Sequence, residues 1–395
     1  YLTIRDGGSN IVKAVNDLNL ESESCFLHNL HLIVSDALNS QRALKDIIAL
    51  GRRIVGHFNH SSLACSKFKE IQEKQLHIQY KKLVQDVSTR WNSTFYMLNR
   101  LQELQNAISI YANGNNEIQN FSSYQWTLIE NCIKLLQPFE EITKQISSSK
   151  SLISEVIPMV VTLQRYLLKS AEVSGIGTMK EALEKNIHKR FSTIQLNKHY
   201  SLATILDPQY KTLFFDKDRS YDEVVKSLLL SLMKEKASEF FKSSENVNNS
   251  KSIAKYSSSE NSHKSTEGEE CVFISVWDVF SEITNNSNIN NKITDTDKNE
   301  LTSVQELNKY ISLPVIERKE SPLNWWEKNQ NNFPILSKLV YKYLSPPASS
   351  VYSERLFSEA GIIYEQRRNR ILPKNAEQLL FLHLNLSILK NDKLA

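Results

Sequence analysis

The chain has 395 residues, of which 41% are hydrophobic and 23% charged, and its formal net charge is +4. That balance is ordinary for a folded chain and excludes wholesale disorder. Only nine glycines and nine prolines occur, which excludes a collagen-like repeat, argues against an all-β protein with a turn every ten residues, and points to long helices.

The four cysteines, at positions 25, 65, 132 and 271, form no CxxC pair. A disulfide scaffold is a poor fit to so long a chain, and a reducing compartment is the better expectation. No apolar run approaches the roughly 18 residues needed to span a bilayer. The opening "YLTIRDGGSN" has neither an initiator Met nor signal-peptide architecture and begins within a β-prone run, so it reads as the interior of a longer chain. The pI near 8.6 permits a nucleic-acid partner without establishing one.

Tyr1 to Ile4 are β-prone and run through Arg5 and Asp6 into the turn pair Gly7 and Gly8. Ser9 can cap a short helix carrying Ile11, Val12, Val15 and Leu18 at helical spacing. In "SCFLHNLHLIVSDAL" the start suits a short buried strand, and the rest suits a helix with Leu30, Val34, Ala37 and Leu38 on one side. The first fifty residues therefore read strand, turn, helix, strand, helix, an α/β pattern.

From about residue 60 to 242 helical periodicity takes over. "STRWNSTFYMLNRLQELQNAISIY" reads as one strong helix. "WTLIENCIKLLQPFEEITKQIS" reads as another, which Pro138 should kink or end. Residues 243–270 and 284–299 are too polar to offset ordering entropy and read as disordered loops. "VFISVWDVF" between them suits a short helix or strand.

In the C-terminal quarter, Leu336, Leu339, Val340, Tyr343 and Leu344 mark an amphipathic helix. A helix over roughly Ser349 to Ile363 follows, with Tyr352, Leu356, Ala360 and Ile363 as its apolar stripe. The last helix, 375–389, is apolar on more than one side. That predicts burial on two sides, and a subunit interface through Leu379, Leu382, Leu386 and Leu389 is one way to achieve it.

Several segments, taken in order, carry a resemblance. They are "RDGGSNIVKAV" with "CFLHNLHLIV", "VSTRWNSTFYMLNRL", "LATILDPQYK", and "SPPASSVYSERLFSEAGIIYEQRRNRILPKNAEQLLFLHLNL". Together they resemble the hAT family of DNA transposases, including the BED-finger proteins descended from them. The resemblance implies a mixed α and β, helix-dominated fold: an RNase H-like core interrupted by a large all-α insertion. It places the first part of the core at 1–55, the insertion at 56–325, and the rest of the core with the dimerisation region at 326–395.

Cores of that kind bind two divalent ions through three carboxylates, and hard cations such as Mg²⁺ or Mn²⁺ call for oxygen ligands. Asp6 aligns with the family's second catalytic aspartate, and Glu354 in "SERLFS" aligns with its catalytic glutamate. The resemblance puts the first aspartate upstream of Tyr1, and any zinc would belong to a BED finger outside these residues. Without it, Asp6 reads as an ordinary turn residue and Glu354 as a solvated helix residue.

Trp91, beside Arg90, aligns with a Trp implicated in relatives in stacking on a flipped base. Trp91, Phe95 and Leu98 equally make a core stripe at i, i+4 and i+7. Cys25, His28 and His31 invite a zinc reading, but no second ligand pair follows at finger spacing. A buried structural Cys25 fits better, with His28 near a phosphate or orienting a carboxylate. The basic run of Arg367, Arg368, Arg370 and Lys374 suits phosphate contacts, as do Arg52 with Arg53 and Lys81 with Lys82. For each, a solvated surface is the plainer alternative. Trp325 and Trp326 read as anchors for the C-terminal helix.

The functional expectation is a metal-dependent DNA transposase working as an oligomer. The alternative is a domesticated descendant that binds DNA and dimerises without cutting, acting on transcription or chromatin. Either reading places the protein in the nucleus with DNA and a second copy of itself as partners, and with no membrane or small-molecule substrate.

Overall fold

The computed structural model describes residues 2–115, 117–170, 174–244, 275–285, 301–364 and 371–391. The predicted disordered loops, apart from their outer edges, lie outside the described residues.

The chain opens with β1 (Thr3–Arg5), α1 (Ser9–Asp17), β2 (Ser22–Ser24) and α2 (Phe26–Ser40). The two strands pair in parallel, with Thr3 opposite Ser22, Ile4 opposite Glu23 and Arg5 opposite Ser24. This is the predicted order with two corrections. The second strand lies upstream of Cys25, because Cys25 and Phe26 already begin α2. Ser9 does not cap α1. Gly8 holds the cap position, and its N–H donates to Asp6 Oδ1 at 2.9 Å.

Then follow α3 (Arg42–His60), α4 (Ser62–Glu70), α5 (Trp91–Glu103), α6 (Gln105–Asn113), α7 (Ser123–Ile146), α8 (Val156–Lys169), α9 (Gly177–Phe191), α10 (Lys198–Leu206), α11 (Tyr221–Ser244), α12 (Val276–Asn285) and α13 (Leu301–Ser312). The chain closes with α14 (Pro322–Asn329), α15 (Leu336–Tyr343), α16 (Val351–Ile363) and α17 (Pro373–Asn391). The fold is largely helical with a small β element. Residues 55 and 325, where the segments were divided on sequence, both fall within helices, α3 and α14.

The single helix expected over 88–111 is broken at Leu104, whose backbone (φ −103°, ψ 18°) leaves the helical region between α5 and α6. The amphipathic helix marked by Leu336, Leu339, Val340 and Tyr343 is α15, and these four side chains are buried. Pro138, in contrast, does not end α7. A proline inside a helix strands the carbonyl four residues earlier. Here that carbonyl, on Lys134, accepts the Tyr166 hydroxyl from α8 at 3.3 Å. Pro158 is treated the same way, since Ser154 O accepts Thr204 Oγ1 at 3.1 Å. Packing against a neighbouring helix replaces the bond that the ring removes.

One core runs through the helical body, from Phe26 and Leu30 of α2 to Leu336 and Leu339 of α15. α2 lies against α9, α3, α5 and α7. The "LATILDPQYK" block forms a buried polar knot. Asp207 accepts Ser154 Oγ at 2.6 Å and the Gln209 N–H at 2.9 Å. Gln209 Nε2 donates to the carbonyl of Glu320, and Lys211 Nζ donates to those of Tyr310 and Leu313. Carbonyls of the segment between α13 and α14, those of Leu313 and Glu320 among them, are thus met by side chains. Trp326 Nε1 donates to Leu206 O at 2.8 Å, and Trp325 packs with Tyr310 and Phe333. The paired tryptophans are anchors, as expected.

The last two helices depart from expectation. No described side chain of α16 is buried, and Tyr352 of its predicted stripe is 53% exposed. On α17 Ala376 is buried, while Leu379, Leu382 and Leu386 are exposed. The two helices pack on each other, but the predicted burial on two sides is not seen among the described side chains of α17.

Candidate functional site

The segment Pro346–Ser350 joins the two ends of the chain. On one side Ile153 N–H donates to Pro346 O and Ala348 N–H to Ser151 O. On the other, Phe26 N–H donates to Ala348 O, and Ser350 N–H donates to Cys25 Sγ at 3.4 Å. Cys25 is buried and structural, as its sequence context favoured. These bonds fix where α16 begins, beside the start of α2.

A cleft of about 1140 Å³ opens at that seam. The first turns of three helices meet there. α2 supplies Leu27 and His28, α5 supplies Trp91 to Ser93 with Arg90 just before them, and α16 supplies Val351 and Glu354. Helix N-termini present unpaired N–H groups and the positive end of the helix dipole, which favours anions. The far wall comes from the end of α7, with Lys144 and Ser147. Arg355 Nη2 donates to Ser147 O at 3.1 Å and closes that side. Among the described residues, Arg90, Arg355 and Lys144, the last paired with the buried Glu140, line the cleft with Glu354 as the one lining carboxylate.

The structure therefore brings His28, Arg90, Trp91 and Glu354 into one cleft. Glu354 is exposed, and its Oε1 accepts Ser350 Oγ at 3.1 Å. Asp6 stands at the edge. The neighbouring Gly7 is close to His28, since a Cβ placed on it would lie 3.9 Å from His28 Nε2. The Asp6 carboxylate, however, is turned back onto its own turn through Gly8, and it does not line the cleft. Among the described residues no three His, Cys, Asp or Glu side chains are placed to share a metal ion. Burial and the neighbouring His28 lower the pKa of His31, so the ring favours its neutral form.

Trp91 borders the cleft but is only 4% exposed, in edge contact with Phe95. Phe95 and Leu98 are buried with it, so the core stripe is realised. Arg367, Arg368 and Arg370 lie outside the described residues, as does the side chain of Leu389. Arg52 is committed elsewhere. Its guanidinium holds Asp86 with bonds of 2.7 to 3.0 Å, and Thr94 Oγ1 adds another at 2.9 Å. Burial would raise the Asp86 pKa, but these bonds hold it below the usual carboxylate range. Lys81 is paired with Glu103.

Sequence reasoning did not single out Tyr96 and Lys144. Tyr96 lies one position off the Trp91, Phe95, Leu98 stripe, which marks it as a residue on the helix flank. Lys144 carries no signal in the sequence, because only the packing of α5 against α7 brings it here.

Two family descriptions match the chain. The hAT family C-terminal dimerisation region matches residues 306–386, and the ZBED1 RNase-like helical domain matches residues 24–135. The chain belongs to the hAT/BED transposase-derived family. Zinc finger BED domain-containing protein 4 of Homo sapiens is 30% identical over 98% of this chain and 31% of its own length. A putative transcriptional regulator, tpeD, of Talaromyces stipitatus is 25% identical over 83% of this chain and 34% of its own. A putative AC transposase of Zea mays is 24% identical over 90% of this chain and 43% of its own. The hAT/BED chain thus spans less than half the length of each of these relatives. The family takes in both transposases and regulators, and this chain carries its dimerisation region. No helix among the described residues is long and apolar enough to cross a membrane.

Proposed function

We propose that this chain is the DNA-binding and self-associating body of a domesticated hAT-derived regulator of transcription or chromatin, acting in the nucleus as a homodimer or higher oligomer. One observation carries the reading. The cleft at the seam gathers three helix N-termini, three cationic side chains and several hydroxyls, with Glu354 as the one lining carboxylate among the described residues. Such a lining suits the phosphates of a nucleic acid better than it suits a pair of metal ions, which need several carboxylates at once. The resemblance of the chain to BED-domain proteins and to a putative transcriptional regulator supports the same reading.

The transposase reading keeps one point in its favour, since Glu354 does reach the cleft. It would require Mg²⁺ or Mn²⁺ and carboxylates beyond Asp6 and Glu354. The experiment is a titration of labelled duplex and single-stranded DNA by fluorescence anisotropy, paired with a nicking assay on supercoiled plasmid in Mg²⁺ and in Mn²⁺. The expected result is salt-sensitive binding with no nicking. Nicking that disappears in Glu354→Gln would overturn the proposal in favour of the enzyme.

A further inference from the structure

A second cavity, of about 300 Å³, lies between α12, the segment after α10 and the segment that joins α13 to α14. Its walls are largely aromatic and apolar, from Tyr210, Trp277, Phe280 and Ile316, and Arg318 stands among them. The Arg318 guanidinium lies over the Trp277 ring, 3.5 Å from its centroid, with that of Phe280 at 5.5 Å. Its Nη2 donates to Gln145 Oε1, a neutral partner. Among the described residues no carboxylate pairs with it. Glu317 lines the same cavity without doing so. Glu155 is held by Gln145 instead, whose Nε2 donates to Glu155 Oε2 at 2.7 Å. Burial lowers the Arg318 pKa and raises that of Glu155, so the guanidinium is short of a counter-charge.

Tyr210 is the second unfinished group. It is 1% exposed, and among the described residues its hydroxyl makes no hydrogen bond, although its ring packs on Phe214 and Phe280. Buried hydroxyls ordinarily have a partner. Burial pushes the Tyr210 pKa up and the charge of Arg318 opposes that shift, which sets the two groups near one another.

A guanidinium stacked by its face keeps edge donors for a planar acceptor, and a carboxylate matches that fork. One cation meets one negative charge, less than a phosphate monoester carries. The aromatic walls call for an apolar body, and the volume is at the lower end of the range for ligand pockets. We infer that this cavity binds a small aromatic carboxylate, with the carboxylate on Arg318 and Tyr210 and the ring among the apolar walls. The site lies apart from the cleft and does not depend on the nucleic-acid reading.

The test is saturation-transfer NMR on the whole chain. Benzoate represents a free acid, N-acetylphenylalanine the C-terminus of a peptide, and benzamide the uncharged match. Saturation should reach a carboxylate and pass benzamide by, and the tighter of the two carboxylates tells a free acid from a chain end. Arg318→Gln should weaken carboxylate binding roughly 10- to 150-fold, and Tyr210→Phe about 2- to 10-fold. Arg318→Lys, which keeps the charge without the fork, should recover only part of the loss. Should the Arg318 variants fail to fold, phenylglyoxal labelling of the wild-type protein with peptide mapping gives an independent answer, with benzoate expected to protect Arg318 and to leave the exposed Arg53 reactive. No saturation of either carboxylate, equal saturation of benzamide, wild-type binding by a folded Arg318→Gln, or no protection of Arg318 would overturn the inference.

Discussion

The helical body and the C-terminal pair α16 and α17 are made from similarly apolar sequence, yet they spend it differently. α8 buries an almost continuous run from Val156 to Leu163, and α7 buries Leu135, Leu136, Phe139 and Ile142. α16 buries nothing, and with α17 it leaves Phe357, Ile362, Phe381, Leu382 and Leu386 exposed. Hydrophobic content therefore shows that a segment needs burial, and not where the partner surface comes from. The body finds its partner within the chain. The terminal pair lies in the family's dimerisation region and presents an apolar area of the kind that marks an interface.

That contrast can be broken by substitution. The largest effect is expected in the body, where Trp91→Ala should cost about 3–5 kcal/mol by emptying a packed site. Denaturant unfolding measures this, and a loss below about 1 kcal/mol would remove Trp91 from the core. In the terminal pair, Leu382→Asp with Leu386→Asp should convert the oligomer to monomer by light scattering, while the body unfolds as before. An unchanged mass would show that these exposed leucines are not the interface.

A smaller effect is expected at the polar knot. Burial raises the Asp207 pKa from 3.8 to about 7, against the bond from Ser154 and the Gln209 N–H. The folded state then holds a proton that the unfolded state has released between about pH 4 and 7. Stability should therefore fall as pH rises through that window, by on the order of a few kcal/mol. Asp207→Asn should flatten this slope in thermal melts, and an unchanged slope would exclude Asp207 as its source. The smallest effect is expected for Tyr166→Phe, which strands the Lys134 carbonyl beside Pro138 and should cost about 1 kcal/mol.

Much of this was legible along the chain. The βαβα opening, the helical body and the apolar positions of α15 follow from periodicity alone, because each is written in neighbouring residues. The break at Leu104 and the survival of α7 through Pro138 were not legible. The second depends on Tyr166, a residue 28 positions further on. The candidate site divides in the same way. His28, Trp91 and Glu354 could be named from motifs, whereas Lys144 and the exposed ring of Tyr96 exist as site features only once α5 and α7 are packed. The turning of the exposed Asp6 carboxylate onto Gly8 depends on the geometry of a single loop, which a motif does not encode.

The stitching of Pro346–Ser350 to Cys25 and to Ser151 has one more effect. α16 is tied to the body at its first turn, through Ser350 to Cys25 and through Arg355 to Ser147, while its other end carries α17. It is therefore a lever whose fulcrum lies at the cleft, with Glu354 and Arg355 on the short arm. If assembly through α17 rotates that lever, the free energy involved must reappear at the cleft, since linkage between two sites is reciprocal. Affinity for DNA would then depend on protein concentration, and occupied DNA would tighten the oligomer by the same factor.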